Sequence, residues 1–516
     1  RLQDETERLA GYLQQVCGVR RGDRVLLYLQ NSPQFVIGYY AILRADAVVV
    51  PVNPMNLSDE LRHYVTDAGA RTILAPQDLF AQVRPLLREG LAAASADGAA
   101  PGLRHAVVTA YSDYLTTATD LSVPAFVSEP RQPLDEAGAM AWAHALAAGQ
   151  RPDPIEAGPD DLAVMPYTSG TTGHPKGCMH THRSVMYNAV SGGLWLGSTA
   201  DSVSLSVLPL FHVTGMQGGM NGPLFLGSTV VQLPRWDRNA AAELIGRYRV
   251  TSTQMIVTMV VDLLSNPRLG EYDLSSIRRL SGGGAAMPEA VAARLQQLCG
   301  IDYIEGYGMS ETMAATHVNP PERPRKQCLG IPLFDVDARV VDPVTLAELQ
   351  PGEVGEIIVH GPQVMQGYWG QPEATQQAFI TRDGKRFLRT GDLGHTDEDG
   401  YFYMVDRLKR MINAAGYKVW PAEVEALMYA HPAIQEVCVI AAQDGRRGET
   451  VKAVVVLREA FRGQVSEQDI IDWAHGHMAA YKSPRLVSFV DSLPKSGTGK
   501  VQWRALQEQE ALTSRC

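Results

Sequence analysis

The feature that most restricts the fold is a regular exchange of short apolar runs with helix-spaced segments. DETERLAGYLQQV (4–16) has helical spacing, DRVLLYLQ (23–30) is a short apolar strand, and SPQFVIGYYAILRA (32–45) is again helical. AVVVPVN (47–53) is a strand, SDELRHYVTDAG (58–69) a helix opening on an N-cap Ser58, and RTILA (71–75) a closing strand. Strands that alternate with helices predict a parallel sheet covered by helices on its faces. The same exchange resumes after DLAVMPYTSG (161–170), in VSLSVLPLFH (203–212), STVVQLP (228–234), RNAAAELIGRYRV (238–250), TSTQMIVTM (251–259) and IRRLSGGGAAM (277–287). Residues 91–104 and 128–160, rich in Ala, Gly, Pro and Asp, read as loops or peripheral helix.

Beyond Gly330 the character changes to short strands with turns: DARVVDP (337–343), GEVGEIIVHG (352–361) and GYFYMVDR (400–407). From Leu408 the pattern resets, with helices at 421–432 and 466–481 around strands at 434–443, 452–459 and 485–490. The expectation is an α/β fold: a large N-terminal domain (1–407) of parallel sheets with a β-rich subdomain, then a small α+β C-terminal domain (408–516). At 516 residues the chain is longer than one hydrophobic core supports, which agrees with two domains.

YTSGTTGHPKG (167–177) packs four Ser and Thr hydroxyls, three glycines and Lys176 into eleven positions. Glycines let backbone N–H groups approach a ligand, hydroxyls donate to anionic oxygens, and a lysine adds compact positive charge. The stretch reads as a phosphate loop, with a plain turn as the alternative. It is not a Walker A loop, because Lys176 follows Pro175 and precedes Gly177. SGTGKV (496–501) has a Gly-Lys pair, but Val501 follows it and Pro494 stands where the first glycine belongs.

Four further segments carry chemistry-bearing residues. SGGGAAMP (281–288) ends a strand in glycines, suited to a backbone that passes a flat ligand or to a tight turn. EGYGMSET (305–312) sets Tyr307 to stack on a base, Ser310 to reach a phosphate and Glu311 to hold Mg2+, which prefers a few carboxylates plus substrate phosphates. RTGDLG (389–394) offers Asp392 to a ribose diol, and DRLKRMINAAGYKVWPAEVE (406–425) carries Arg407 and Lys409 where the composition shifts. PKSGTGKVQW (494–503) is a second glycine-rich loop with a lysine.

These segments, in this order, resemble the adenylate-forming superfamily of acyl-CoA synthetases, luciferases and adenylation domains of peptide synthetases. The likeness spans essentially the whole chain, and NPMN (53–56) with HYVTDAGAR (63–71) is most similar to the fatty and aryl acyl-CoA ligases. Members extend further at the N-terminal end, so part of the first strand layer is expected upstream of Arg1. The resemblance implies that Thr168, Ser169, Gly170, Thr171, Thr172 and Lys176 grip the β- and γ-phosphates of ATP. It places Gly283, Gly284, Ala285, Ala286 and Gly306 around the adenine, with Tyr307 stacked on it. Ser310 would contact the α-phosphate, Glu311 would ligate Mg2+, and Asp392 with Arg407 would hold the ribose. Lys409 would be the hinge of a mobile C-terminal domain, Gly416 would line the pantetheine tunnel of coenzyme A, and Lys500 would be the catalytic lysine. Asn413 stands where some members carry a further lysine.

The implied activity is an ATP-dependent acid–thiol ligase that passes through an acyl-adenylate and delivers the acyl group to coenzyme A. His212, in LFHVTGMQGGM (210–220), stands where amino-acid-activating relatives have an aspartate, and would border the substrate carboxylate. Gly218, Gly219, Gly283, Gly284, Ala314 and Ala315 would leave an uncharged cavity, which favours a medium- or long-chain fatty acid. An aryl-CoA ligase, or an acyl-AMP ligase that loads a carrier protein, is the alternative. A non-catalytic nucleotide sensor would be expected to lack Lys500 or Glu311, and both are present.

A net charge of −10 opposes non-specific binding to nucleic acid or membrane surfaces. No apolar run reaches the length of a membrane span; Phe35–Val52 is broken by Arg44 and Asp46. The scattered cysteines (Cys17, Cys178, Cys299, Cys328, Cys438 and Cys516) suggest reduced thiols and a cytoplasmic protein. The partners expected are small molecules, namely a carboxylic acid, ATP and coenzyme A, and a homodimer is left open as the assembly.

Overall fold

The run Val48–Pro51 is apolar at every position, and in the computed structural model it is buried at every position. Such a strand needs cover on both faces, which a parallel sheet between helices provides. The structure describes residues 1–96, 101–168, 175–284, 286–414, 417–444, 448–495 and 501–513. The chain divides into two compact units, residues 1–337 with 359–388 and residues 338–358 with 389–516.

The first unit holds two seven-stranded sheets. In one, the order is Ala139–Ala141, His105–Thr109, Thr72–Pro76, Arg24–Leu27, Val48–Pro51, Leu162–Val164 and His180–Thr181. All neighbours are parallel except the last pair. Alternate residues feed two cores: Val25, Leu27, Val49 and Leu74 on one face, Leu26, Val48, Val50 and Ile73 on the other. The helix Pro33–Arg44 begins at Ser32, whose side chain accepts from Phe35 N. For the helix Ser58–Ala68 the N-cap is Leu57 and not Ser58. Glu60 accepts from Leu57 N at 2.8 Å, while Ser58 Oγ turns to Gln82, so the carboxylate replaces the expected serine cap.

In the second sheet the order is Thr229–Gln232, Val203–Ser206, Ser252–Gln254, Arg279–Gly283, Tyr303–Met309, Ala314–Val318 and Ile331–Pro332. The first five strands are parallel, and the two that follow Tyr303–Met309 are antiparallel. Leu205 and Leu280 face a core built with the helices Arg238–Tyr248 and Val257–Leu264. The strand ends at Gly283 and Met309 are therefore the C-terminal edge of a parallel sheet, where open α/β folds place ligands.

The second unit contains a five-stranded sheet of Tyr417–Val419, Ile412–Ala414, Gly448–Leu457 and Ile434–Asp444, with Leu486–Phe489 parallel to Gly448–Leu457. Helices Pro421–Met428, Glu467–His477 and Trp503–Thr513 accompany it. The strands Gly448–Leu457 and Ile434–Asp444 bury Val451, Ala453 and Val455 in one core and Cys438, Ile440 and Val454 in another. The α/β architecture, with a large N-terminal region of parallel sheets and a smaller C-terminal α+β region, is as the sequence implied. Among the described residues no helix is long and apolar enough to cross a membrane, and the five described cysteines are free.

Candidate active site

The glycine- and hydroxyl-rich stretch begins and ends in two short strands that pair as the base of a hairpin. Tyr167 and Thr168 pair antiparallel with Gly177 and Lys176, and Ser169, Gly170, Thr171 and Thr172 lie outside the described residues. The Tyr167 hydroxyl donates to Asp67 at 2.6 Å and the ring packs edge-on against Tyr64, which anchors the hairpin base.

Lys176 stands with its ammonium 5.2 Å from the centre of the Tyr368 ring. The hydroxyl of that tyrosine donates to Glu311 Oε1 at 2.9 Å. Burial, and then the neighbouring Glu311, raise the Tyr368 pKa, which keeps the phenol protonated as a donor. Two residues 135 positions apart, a lysine of the hairpin and a carboxylate of EGYGMSET, thus meet at one aromatic side chain. Tyr368 carried no expectation from the sequence.

The segment 305–318 is bent sharply. Its ladder slips between Tyr307 and Gly308, and Met313 and Ala314 adopt positive φ (46° and 88°). Left-handed angles at two consecutive non-glycine residues are strained and persist only where neighbours enforce them. Asn188 does so, donating to the carbonyls of Thr312 (3.1 Å) and Met313 (2.8 Å). Gly308 admits no side chain, since a Cβ there would lie 1.7 Å from the Ala314 carbonyl oxygen. His180, fully buried, bonds the Ser310 carbonyl through Nε2 at 2.7 Å. Burial pushes this imidazole down to about 4, so at neutral pH it is uncharged and Nε2–H donates. Tyr307 pairs with the buried His317, ring centres 5.7 Å apart. Burial lowers His317 to about 3.

Gly283 and Gly306 are cross-strand partners, and a Cβ on Gly283 would sit 2.2 Å from the Gly306 carbonyl oxygen. Gly284 turns with φ +86°. Gly284 and Ala286 are exposed; Ala285 lies outside the described residues. Two bare strand ends thus present flat backbone beside Tyr307. His212 caps the short helix Val213–Met216, its side chain accepting from Thr214 N at 3.4 Å.

The expected glycine-lined cavity needs correction. Where Gly218 lacks a side chain the space holds Gln254, with Oε1 2.0 Å from the position a Cβ would take. At Gly219 it holds Ser206 Oγ (2.5 Å), and at Gly283 the Gly306 backbone. These glycines permit close packing of the Gln217–Asn221 turn on the sheet rather than opening a void.

In the second unit, Asp392 and Arg407 are register partners on adjacent strands, and Arg407 Nε lies 3.0 Å from Asp392 Oδ1. Asp392 is fully buried and Arg407 half exposed, so the guanidinium compensates and orients the carboxylate. Lys409 falls in the 3-10 turn Leu408–Arg410, and Asn413 on the strand Ile412–Ala414. Gly416 and Lys500 lie outside the described residues.

A cavity of about 230 Å3 opens elsewhere, lined by Gln77, Arg84, Thr109 and Arg131 among others. It holds none of the motif residues, and its arginines are paired with Glu136 and Asp113. Among the described residues no three His, Cys, Asp or Glu side chains cluster as a metal cage. The single carboxylate of Glu311 fits Mg2+, which completes its shell with phosphate oxygens and water.

Comparison with known proteins decides the class. The model of the AMP-binding enzymes matches residues 1–369, and that of the AMP-binding enzyme C-terminal domain matches residues 423–500. The chain belongs to the AMP-binding enzyme family. It is 36% identical to a long-chain-fatty-acid–CoA ligase of Bacillus subtilis (strain 168), over 98% of this chain and 88% of that protein. It is 33% identical to a feruloyl-CoA synthase of an Amycolatopsis species, over 96% of this chain and 90% of that one. Its fold matches ATP-bound MatB from Rhodopseudomonas palustris with a TM-score of 0.85 at 30% identity, covering 99% and 93% of the two chains. Within the family the chain stands with the AMP-forming acyl-CoA ligases, enzymes that use ATP and coenzyme A.

Proposed function

We propose that this AMP-binding enzyme activates a medium- or long-chain fatty acid. The acid's carboxylate oxygen attacks the α-phosphorus of ATP, the bond to the β-phosphate bridging oxygen breaks, and pyrophosphate leaves. The thiol of coenzyme A, giving up its proton, then attacks the acyl carbon and AMP departs. A carboxylate is a poor electrophile, and the adenylate supplies the leaving group that thioester formation needs. Catalysis of the first step rests on position and charge stabilisation rather than covalent chemistry by the protein.

The meeting of Lys176 and Glu311 at Tyr368 is the observation that best supports this reading. A cation and a carboxylate flanking one ring suit a triphosphate with its divalent counter-ion. Lys176 with Thr168, Ser169, Gly170, Thr171 and Thr172 holds the β- and γ-phosphates, Ser310 the α-phosphate, and Tyr307 with the bare backbone of Gly283 and Gly306 the adenine. Glu311 holds Mg2+, which when bound neutralises charge on the phosphate oxygens. Asp392, oriented by Arg407, accepts from the ribose hydroxyls, and Lys500 stabilises the charge that collects on the transferring phosphoryl group. His212 borders the acid's carboxylate. Residues 408–516 form a domain that turns about Lys409 between the half-reactions and brings Gly416 to the pantetheine arm.

The fatty-acid assignment draws on the likeness to the Bacillus subtilis ligase and on the absence of charge at Ala314 and Ala315. An acyl chain passing Gly218 has to move the Gln254 side chain. The likeness to a feruloyl-CoA synthase makes an aryl acid the second reading. The small-molecule partners and reduced cysteines fit a cytoplasmic enzyme, and a homodimer remains the assembly to test. A panel of straight-chain and aromatic acids, scored by pyrophosphate release, separates the substrate readings. Activity should climb with chain length from acetate, and benzoate or coumarate outperforming every straight-chain acid would overturn the fatty-acid reading.

A further inference from the structure

Residues 365–369 form a strap whose backbone ties two distant parts of the candidate site together. Met365 N donates to the Glu311 carbonyl at 2.8 Å. Met179 N donates to the Gly367 carbonyl, Gln366 N to the Met179 carbonyl, and Trp369 N to the Gly177 carbonyl, all at 2.8–2.9 Å. Tyr368 bridges Cys178 in antiparallel fashion, and its own N–H donates to Thr375 Oγ1 at 2.9 Å. The strap therefore runs beside the lysine strand of the hairpin and bonds directly to the residue that carries the carboxylate. Its half-buried tyrosine is fixed at both ends, by backbone on one side and by the Glu311 carboxylate on the other.

We propose that Tyr368 is a positioning residue for the metal–triphosphate end of the nucleotide. The hydroxyl holds Oε1 of Glu311 and so fixes the orientation in which this carboxylate would meet the cation. The ring gives the Lys176 ammonium a defined place, because a cation is drawn to the face of an aromatic ring. One side chain thus sets the spacing between the two opposite charges that bracket the β- and γ-phosphates. The same strap couples them: displacement of the hairpin strand moves residues 366–369, and with them the contact to Glu311. This inference rests on the roles proposed above for Glu311 and Lys176.

The test measures ATP binding to the full chain by calorimetry across a Mg2+ titration, with no acid or coenzyme A present. Wild type is compared with Tyr368→Phe and Glu311→Gln. A hydrogen-bond partner of a metal-ligating carboxylate typically contributes about tenfold in metal affinity. Tyr368→Phe should therefore raise the Mg2+ concentration for half-maximal tightening of ATP by about tenfold. Metal-free ATP binding and the melting temperature should stay near wild type, which a purely structural role for the hydroxyl would not allow. Tyr368→Leu, which also removes the ring, should in addition weaken inhibition by inorganic pyrophosphate. If Glu311→Gln shifts the Mg2+ dependence and Tyr368→Phe does not, the positioning role is refuted and the role of Glu311 stands. If neither variant shifts it, the metal assignment itself fails and the proposal falls with it.

Discussion

Gly308→Ala is the substitution whose effect can be worked most fully from the structure. The added methyl would sit 1.7 Å from the Ala314 carbonyl oxygen, 2.5 Å from its carbon and 2.8 Å from Ala315 Cα. Ordinary contact begins near 3.4 Å, so the backbone must give by about 1.7 Å, and no flexible side chain can absorb that. The strained pair Met313 and Ala314 is held from behind by Asn188, so the strand carrying Tyr307 is the side that yields. Overpacking of this kind costs about 1–3 kcal/mol of stability. A misplacement of about 1 Å near a reacting centre costs on the order of 10²-fold in rate. We expect kcat/KM for acid-dependent ATP–pyrophosphate exchange to fall by about 10²-fold while the protein remains folded by circular dichroism. Gly192→Ala is the control, because a Cβ there meets nothing within 4 Å on the helix His182–Trp195. It should stabilise by about 0.4–1 kcal/mol and leave exchange unchanged. Normal exchange in Gly308→Ala would show that the bulge does not set the position of Tyr307 and Glu311.

Lys500→Ala should cut adenylation by about 10²–10³-fold, the usual cost of one preorganised donor of charge, and spare thioester formation from supplied acyl-AMP. Equal loss in both half-reactions, measured separately, would remove the assigned role. Lys409→Pro fixes φ at the 3-10 turn and should give near-normal pyrophosphate release with acyl-AMP accumulating. Normal overall turnover would rule out a hinge there. His180 is held at about 4 when folded against an ordinary 6.5, so between these values only the unfolded chain binds the proton. Its contribution, about 3 kcal/mol at about 1.36 kcal/mol per pH unit, is present above pH 6.5 and lost as pH falls towards 4. Denaturant melts of His180→Gln should therefore depend less steeply on pH in that window than wild type. Glu305, pushed up to about 6 by burial, acts in the opposite sense and is common to both proteins. Parallel slopes would contradict the neutral, buried state of His180.

Much of the fold was legible because burial on both faces of a parallel sheet leaves uniformly apolar strands such as Val48–Pro51, with helices between them. The strand His105–Thr109 was not foreseen. It borders a stretch rich in Ala and Gly, and its apolar centre is only AVV. The motif residues were visible because glycines, hydroxyls and charges are unusual in such density. Their supports were not. His180, Asn188 and Tyr368 act on residues 310–313 from 57 to 130 positions away, by one or two hydrogen bonds each that leave no local pattern. The glycines at 218 and 219 were misread for a related reason. An absent side chain signals close approach, and only the structure says whether ligand or protein makes it, here Gln254 and Ser206.

Attack of the acid on the α-phosphorus of ATP is the step on which the proposed function depends. It is tested most directly with a fatty acid whose carboxylate carries 18O, turned over with ATP, Mg2+ and coenzyme A, and the nucleotide product analysed by mass spectrometry. Attack on the α-phosphorus should give AMP bearing one 18O atom, released with unlabelled pyrophosphate and in step with acyl-CoA. ADP with labelled inorganic phosphate, the signature of an acyl-phosphate intermediate, would contradict it.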